Sequence, residues 1–423
     1  MLLFALSFAF PVLFLPAKVV LALIIGVVII ELGLLYQSKP MFSVERTTSR
    51  LLSLGDENRI EIRITNNSGR NWRLSLIDEI PFQFQVRDFQ EDFSLGDRKT
   101  KKLEYELRPI SRGEYHFGKI HLFLKTPLQI FERRVSIDAQ TMVPVYPSVL
   151  QMKGMELMAL ARVSHDGGIK KIRRIGHSYE FEQIKNYVQG DDIRSINWKA
   201  TSRRNQLMVN QYEDERSQQV YCVIDTGRSM RMPFEGMSLL DYAINTSLVM
   251  SNVSLAKYDK AGMVSFDKQI RTAIPAERRR SQLNQILESL YRQEETQFEA
   301  DFELLYRGIS KLSPARSLLI LFSNFESQFA LDRALPVLRK IAKRHLLLLV
   351  LFENAEIVAA SQEEPQDLEG IYRRTIAGEF LHEKREMALR ATRFGIQTII
   401  TRPEDLSVNT VNKYLELKAR GMI

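Results

Sequence analysis

Residues 220–230 read "VYCVIDTGRSM". Five of the first six side chains are apolar and no polar residue alternates with them, which marks a short strand buried on both faces. The run ends at Asp225, and turn-forming residues follow at once. Downstream, the same rhythm repeats. "SLLDYAINTSLVMSNVSLAKYD" (238–259) has helical spacing and precedes the strand "AGMVSF" (261–266). Helical patterns over 278–293 and 299–312 lead to the strand "SLLILFS" (317–323). A helix near 328–343, the strand "HLLLLVLF" (345–352), a charged helix near 378–393, the strand "IQTIIT" (396–401) and a last helix complete the series. Strands alternating with helices predict a doubly wound, mostly parallel α/β domain over 220–423. Ligands of such folds sit beyond the carboxyl ends of the strands. The loops after Ile224, Phe322 and Phe352 are therefore the places to look for chemistry.

Upstream the period changes to two. In "NRIEIRITNN" (58–67), Ile60, Ile62 and Ile64 share one face, and Glu61 and Arg63 take the other. Further short strands, "WRLSLIDEI", "KKLEYELRPI", "GEYHFGKIHLFLKT" and "QIFERRVSI", are separated by turn clusters such as "NNSGRN". The spacing predicts an all-β immunoglobulin-like sandwich over 42–148, with Trp72 in its core or on its sheet surface, and a linker over 149–219.

The first 36 residues are apolar apart from Ser7, Lys18 and Glu31. Val19 to Tyr36 amounts to 18 residues, about 27 Å of helix. With a shorter helix over Leu2–Leu15 and a turn at "PAK" (16–18), residues 1–38 are expected to form a transmembrane hairpin; a single anchor is the alternative. Lys39, Arg46 and Arg50 follow the second helix and almost nothing charged precedes the first, so the positive-inside bias places the remainder in the cytoplasm, at the inner (plasma) membrane. The net charge of +8 suits an anionic membrane face. Cys222 is the chain's one cysteine, which excludes an intrachain disulfide, and its apolar neighbours make it a buried small hydrophobe.

Enzyme constellations are weak. "GRSM" opens like a nucleophile elbow, but the second glycine of that motif is Arg231. "HEKRE" (382–386) lacks the second histidine of a zinc protease, and there is no P-loop. Asp225 and Ser229 stand four apart just past a strand, where a carboxylate and a hydroxyl can hold a hard cation such as Mg²⁺. The loop resembles the metal-ion-dependent adhesion site of von Willebrand factor A domains, with Gly227 in place of the first serine. That resemblance implies Thr296 as the threonine of the site, and it puts Asn324 where an aspartate is usual, so the site is degenerate.

The segment "GHSYEFEQIKNYVQGDDIRSINWKATSRRNQLMVNQYEDE" (176–215) is the most specific stretch. Glu180, Phe181, Tyr187, Gly190, Asp191, Asp192, Arg194, Asn197, Trp198, Lys199 and Arg203 match the signature of the bacterial "domain of unknown function 58" family, which the chain resembles over nearly its whole length. The resemblance implies a von Willebrand factor A-like domain and a membrane-anchored, non-enzymatic scaffold or adaptor. It would partner MoxR-type AAA+ ATPases in the assembly or maturation of other complexes, and other membrane-associated von Willebrand factor A-like proteins are further candidate partners. From the residues alone three roles stand open for the segment. It is a polar girdle in which Asp191 and Asp192 pair with Arg194, Arg203 or Arg204 while Trp198 packs beneath the α/β domain; or a partner surface, since Trp and Arg are enriched at binding hot spots; or a nucleic-acid contact, which the interrupting acids disfavour. A hydrolase using Asp225 and Ser229 is the alternative from another class.

The orientation is testable. Ser68→Cys in a Cys222→Ala background should resist impermeant thiol reagents in intact cells and react after lysis; labelling before lysis would reverse the topology.

Overall fold

The computed structural model describes residues 10, 14–36, 41–156, 180–188, 195–204, 206–213, 217–365 and 367–423. The chain divides into two compact units, Met1–Ser148 and Val149–Ile423.

The first unit begins with a 23-residue helix, α1 (Phe14–Tyr36). At 1.5 Å per residue it extends about 34 Å, enough to cross a bilayer core of about 30 Å. Among the described residues it is the one helix long and apolar enough to do so. The turn expected at 16–18 is absent. Pro16 lies in the first helical turn, where its missing N–H has no intrahelical partner to lose, so the helix runs through it. The preceding segment of the expected hairpin lies mostly outside the described residues. The last turns of α1 dock on protein. Glu31 is buried and accepts the Leu128 N–H (2.9 Å), Leu35 is buried in the β core, and Arg133 donates to the Leu35 carbonyl (2.9 Å).

Ten strands follow. They are β1 (Phe42–Thr47), β2 (Leu52–Ser53), β3 (Asn58–Asn66), β4 (Trp72–Asp78), β5 (Gln90–Leu95), β6 (Thr100–Leu107), β7 (Gly113–Phe117), β8 (Ile120–Lys125), β9 (Glu132–Ile137) and β10 (Thr141–Tyr146). They form sheets ordered β1-β3-β6, β5-β4-β8-β9 and β2-β10-β7. Ile62 and Ile64 of β3 share one core with Leu74 and Leu76 of β4 and with Leu122 and Leu124 of β8, as the period of two requires. Trp72 belongs to that core, its indole N–H donating to Ser68 Oγ (2.8 Å). Ser68 is thus half-buried and bonded, and the exposed Asn67 beside it is the better position for a labelling cysteine.

In the second unit, β11 (Glu180–Asn186) and β12 (Met208–Glu213) pair antiparallel around a short helix, α2 (Trp198–Arg204). Then come β13 (Gln219–Asp225), a small hairpin of β14 (Pro233–Phe234) and β15 (Met237–Ser238), α3 (Leu239–Ala256), β16 (Lys260–Phe266), β17 (Ile270–Glu277), α4 (Gln282–Tyr291) and α5 (Phe302–Leu312). The series ends with β18 (Leu318–Phe322), α6 (Gln328–Arg344), β19 (Leu346–Phe352), α7 (Ala355–Gln362), α8 (Leu368–Arg393), β20 (Gln397–Thr401) and α9 (Leu406–Ala419). The sheet order is β17-β16-β13-β18-β19-β20, parallel except for β17. The antiparallel edge strand β17 and the short α7 are not evident in the sequence pattern. Val220, Cys222 and Ile224 point into one core with α3 and α9, while Tyr221 and Val223 point into the other with α5 and α6. Burial on both sides is why β13 carries no polar alternation. It also pushes the Cys222 thiol pKa up to about 12.

Arg46 and Asp78 form a fully buried ion pair in the first unit, and Arg46 also donates to the Ala139 carbonyl (2.8 Å). Tyr105 adds a hydroxyl bond to Asp78, and burial raises its phenol pKa. Removing one partner strands the other charge, so Arg46→Ala should lower unfolding free energy by about 3–5 kcal/mol in urea titration; a change below about 1 kcal/mol would show that water reaches Asp78.

Candidate functional site at the strand ends

The loops after Ile224, Phe322 and Phe352 converge, as the topology requires of the carboxyl edge of a parallel sheet. Asp225, the last residue of β13, is almost wholly buried. Its Oδ1 accepts the Gly227 N–H (2.7 Å) and its Oδ2 accepts the Ser323 hydroxyl (2.7 Å). Burial pushes its pKa up to about 6, and the charge of Asp267 adds to the shift, against the hydrogen bonds from Gly227, Ser323 and Ser229. Asp267 goes the other way: burial penalises its charge too, but the bonded Arg271 guanidinium (2.7 Å) holds its pKa below the ordinary value.

The other expected ligands surround the same loop. Thr296 sends both its N–H and its hydroxyl to the Thr226 carbonyl (each 3.0 Å). Asn324 donates to the Ser229 carbonyl (3.1 Å) and accepts from the Lys384 ammonium (3.4 Å). Asp225, Ser229, Thr296 and Asn324 are therefore gathered, but as partners of the loop's own polar groups. A side chain at 227 has no room, since a Cβ there would approach the Phe298 carbonyl at 2.8 Å and Asp225 Oδ1 at 2.9 Å. Among the described residues no group of three His, Cys, Asp or Glu is placed to hold a metal. Mg²⁺ prefers several hard oxygen ligands in octahedral array. Here both oxygens of Asp225 accept protein hydrogen bonds, and Asn324, at the position of the usual aspartate, is neutral and accepts from the Lys384 ammonium (3.4 Å). The donor set does not fit the ion.

Beside the loop lies a cavity of about 410 Å³, within the range of ligand pockets. Its apolar wall includes Met232, Phe234, Phe352, Ile357, Phe380 and Leu381. Lys384 and Asn324 supply polar groups, and Arg228, Glu326 and Glu353 complete the lining. Burial lowers the Lys384 pKa to about 8, against the raising fields of Glu383 and Glu326. Ser323, Asp267 and Lys384 escape sequence reasoning: no motif links α8 to the end of β18, and only the packing of α8 across the strand ends brings Lys384 there.

The signature segment is placed in part. Glu180 and Phe181 open β11, opposite Glu213 and Tyr212. Tyr187 is half-buried and its N–H donates to the Leu207 carbonyl (2.8 Å). Gly190, Asp191, Asp192 and Arg194, and with them the acid pairs of the girdle reading, lie outside the described residues. Asn197 is structural. Its Oδ1 accepts the Ala200 N–H (3.0 Å) at the start of α2, and its amide donates to Asn210 Oδ1 (2.8 Å). Trp198 contradicts the expectation that it packs beneath the α/β domain, being 69% exposed. The reason is local. Ile196 bridges to Val209 and the Thr201 hydroxyl accepts the Met208 N–H (3.0 Å), so these residues face the β11–β12 hairpin and Trp198 is turned outward. Lys199, Arg203 and Arg204 are exposed with it.

The uncharacterized protein YeaD of Bacillus subtilis (strain 168) is 27% identical over 130 residues, which is 30% of this chain and 32% of that protein. Among solved structures, the conserved hypothetical protein BatB from Bacteroides thetaiotaomicron is similar over 48% of this chain and 99% of its own, at 12% identity and a TM-score of 0.30. The CARDB domain of PF1109 from Pyrococcus furiosus is similar over 25% of this chain and 93% of its own, at 18% identity and a TM-score of 0.20. Residues 183–359, which hold α2, β13 and the loops beyond β13 and β18, match the family described as "Protein of unknown function DUF58", and this match supports the resemblance carried by the signature segment.

Proposed function

We propose that this protein is a membrane-anchored scaffold or adaptor, held at the inner membrane by α1 with its two units in the cytoplasm, and that it is not an enzyme. On this reading the first unit is an immunoglobulin-like sandwich and the second a von Willebrand factor A-like domain. The alternation of strands and helices and the Asp225–Ser229 loop beyond β13 support that likeness. The partner is an ATPase of the MoxR type, met through the signature segment. One observation carries the proposal: Trp198, the most costly side chain to leave in water, stands exposed with Lys199, Arg203 and Arg204 on one short helix of the family-matched region. Trp and Arg are the residues from which binding hot spots are built.

The strand-end loop acts in this proposal as a closed, metal-free relic of an adhesion site. A hydrolase centred on Asp225 and Ser229 has less support, because both oxygens of Asp225 are engaged by Gly227 and Ser323. A nucleic-acid role has less support, because Asp191 and Asp192 interrupt the basic run of the signature segment.

Two outcomes are expected. Trp198→Ala in the full chain should melt within about 0.5 kcal/mol of the parent, as exposed substitutions do, yet fail to co-purify the ATPase from native membranes; retained co-purification would remove the segment from the interface. The second concerns Asp225. Its folded pKa of about 6 lies above the ordinary 3.8, so the folded state binds the extra proton between these values. Stability from this group is full below about pH 4 and is lost as pH rises towards 6 and beyond, by an amount on the order of 3 kcal/mol. Asp225→Asn should flatten that dependence and unfold later than the parent at pH 7.5. Parent melting curves should coincide in chelator and in excess Mg²⁺; a rise with Mg²⁺ that Asp225→Asn abolishes would restore the metal site.

A further inference from the structure

The apolar cavity does not stand alone. On α8, Leu368, Tyr372, Ile376 and Phe380 recur in steps of four and are 70%, 63%, 51% and 46% exposed in turn. A step of four advances 400°, so such a row winds about 40° around the helix at each step. The falling exposure follows that winding, from open solvent at Leu368 to the cavity, which Phe380 lines with Leu381 and Lys384. An apolar ramp therefore leads into an apolar cavity, and its inner end carries an ammonium.

The charges at that end select a ligand. Lys384 donates to Asn324 Oδ1 and to the Phe325 carbonyl, and among the described residues it forms no ion pair with a carboxylate. Arg228, the other cation of the lining, is engaged by Glu299 (2.7 Å). Glu326 and Glu353 stand in the same lining and oppose any anion, so only a single charge set directly on Lys384 gains there. One carboxylate on an apolar group fits this arrangement, and a phosphate or an acidic cluster does not. The ramp settles the size of the occupant. From 368 to 380 the helix rises about 18 Å, the reach of five or six extended residues. A compact acid would fill the cavity and leave the ramp in water.

We propose that the stripe on α8 and the strand-end cavity form one groove for the C-terminal segment of a partner polypeptide, with apolar side chains along Tyr372, Ile376 and Phe380, the last residue in the cavity and its carboxylate on Lys384. This rests on the adaptor reading above and names the chemistry of a second partner contact, separate from Trp198.

The test uses the full chain in nanodiscs and a dansyl-labelled hexapeptide of alternating Ala and Leu ending in Leu, followed by anisotropy. The free acid should bind at least about tenfold more tightly than the same peptide as its amide, the scale of one charge-assisted hydrogen bond. K384M should erase that preference, I376K should weaken both forms, and I357W should block both by filling the cavity. Equal binding of acid and amide to the parent chain overturns the proposal, as does a K384M protein that still prefers the acid. Should K384M unfold early, the acid–amide comparison on the parent decides by itself. Octanoate that competes as well as the hexapeptide, with I376K indifferent, would assign the cavity to a small carboxylic acid and overturn the polypeptide occupant. None of these measurements involves the ATPase, so their failure leaves the co-purification through Trp198 standing, and the converse holds.

Discussion

The second unit depends on a single constraint: β13, β18 and β19 must be covered on both faces. Their side chains alternate between two cores, Val220, Cys222 and Ile224 with α3 and α9, Tyr221 and Val223 with α5 and α6. Neither core can form without the other, because a strand exposed on one side would present a row of large apolar side chains to water. Each fully buried Leu, Ile or Val contributes roughly 1.5–3 kcal/mol, so the sheet sets the stability scale against which the polar loops are built. The parallel order then fixes where those loops meet. Each crossover between the parallel strands returns over a face, and the carboxyl edges of those strands are left to form a common rim.

What that rim holds is a set of mutual obligations. Asp225 is buried because β13 is buried, and its charge is retained only through the Gly227 N–H and the Ser323 hydroxyl. Gly227 keeps the loop close, Thr296 bonds back to Thr226, and Asn324 bridges Ser229 to Lys384. Each polar atom that could serve a metal already satisfies a neighbour. Lys384 is the exception in kind. It enters from α8, carries a positive charge into a mostly apolar cavity, and meets carbonyl and amide oxygens in place of an acid. A cation held this way is costly by itself and gains from an anion, and this connects the closed loop to the open groove beside it.

In the first unit the same economy of polar groups governs α1. Glu31, an acid in an apolar helix, is tolerable because it accepts the Leu128 N–H in a buried setting, and Leu35 continues the β core one turn later. The helix that is long enough to cross a bilayer is thus fastened to folded protein at its end. Arg46 and Asp78 show how internal charge is compensated: they pair with each other, Arg46 donates to two backbone carbonyls and the Tyr105 hydroxyl donates to Asp78.

Periodicity alone determined much of this. Alternation at Ile60, Ile62 and Ile64 and unbroken apolar runs at 220–224, 318–322 and 346–352 are consequences of which faces are buried, so they disclose strands, their type and the rim where loops converge. The family signature was legible as a string of residue types, and so was the group Asp225, Ser229, Thr296 and Asn324. Decisions that depend on contacts between distant residues were not. α1 runs through Pro16, where the sequence pattern predicts a turn, because the first turn of a helix does not need the missing N–H. Residue type leaves Trp198 open between a packed girdle and a partner surface, and the bridge of Ile196 to Val209 and the bond of Thr201 to Met208 turn it to solvent. Lys384 lies 60 residues from Asn324, and no local pattern predicts that they meet. Sequence specifies which faces prefer to be buried, a property of each side chain and its near neighbours; tertiary structure decides which polar groups share a place, because that follows from how whole helices pack across a sheet.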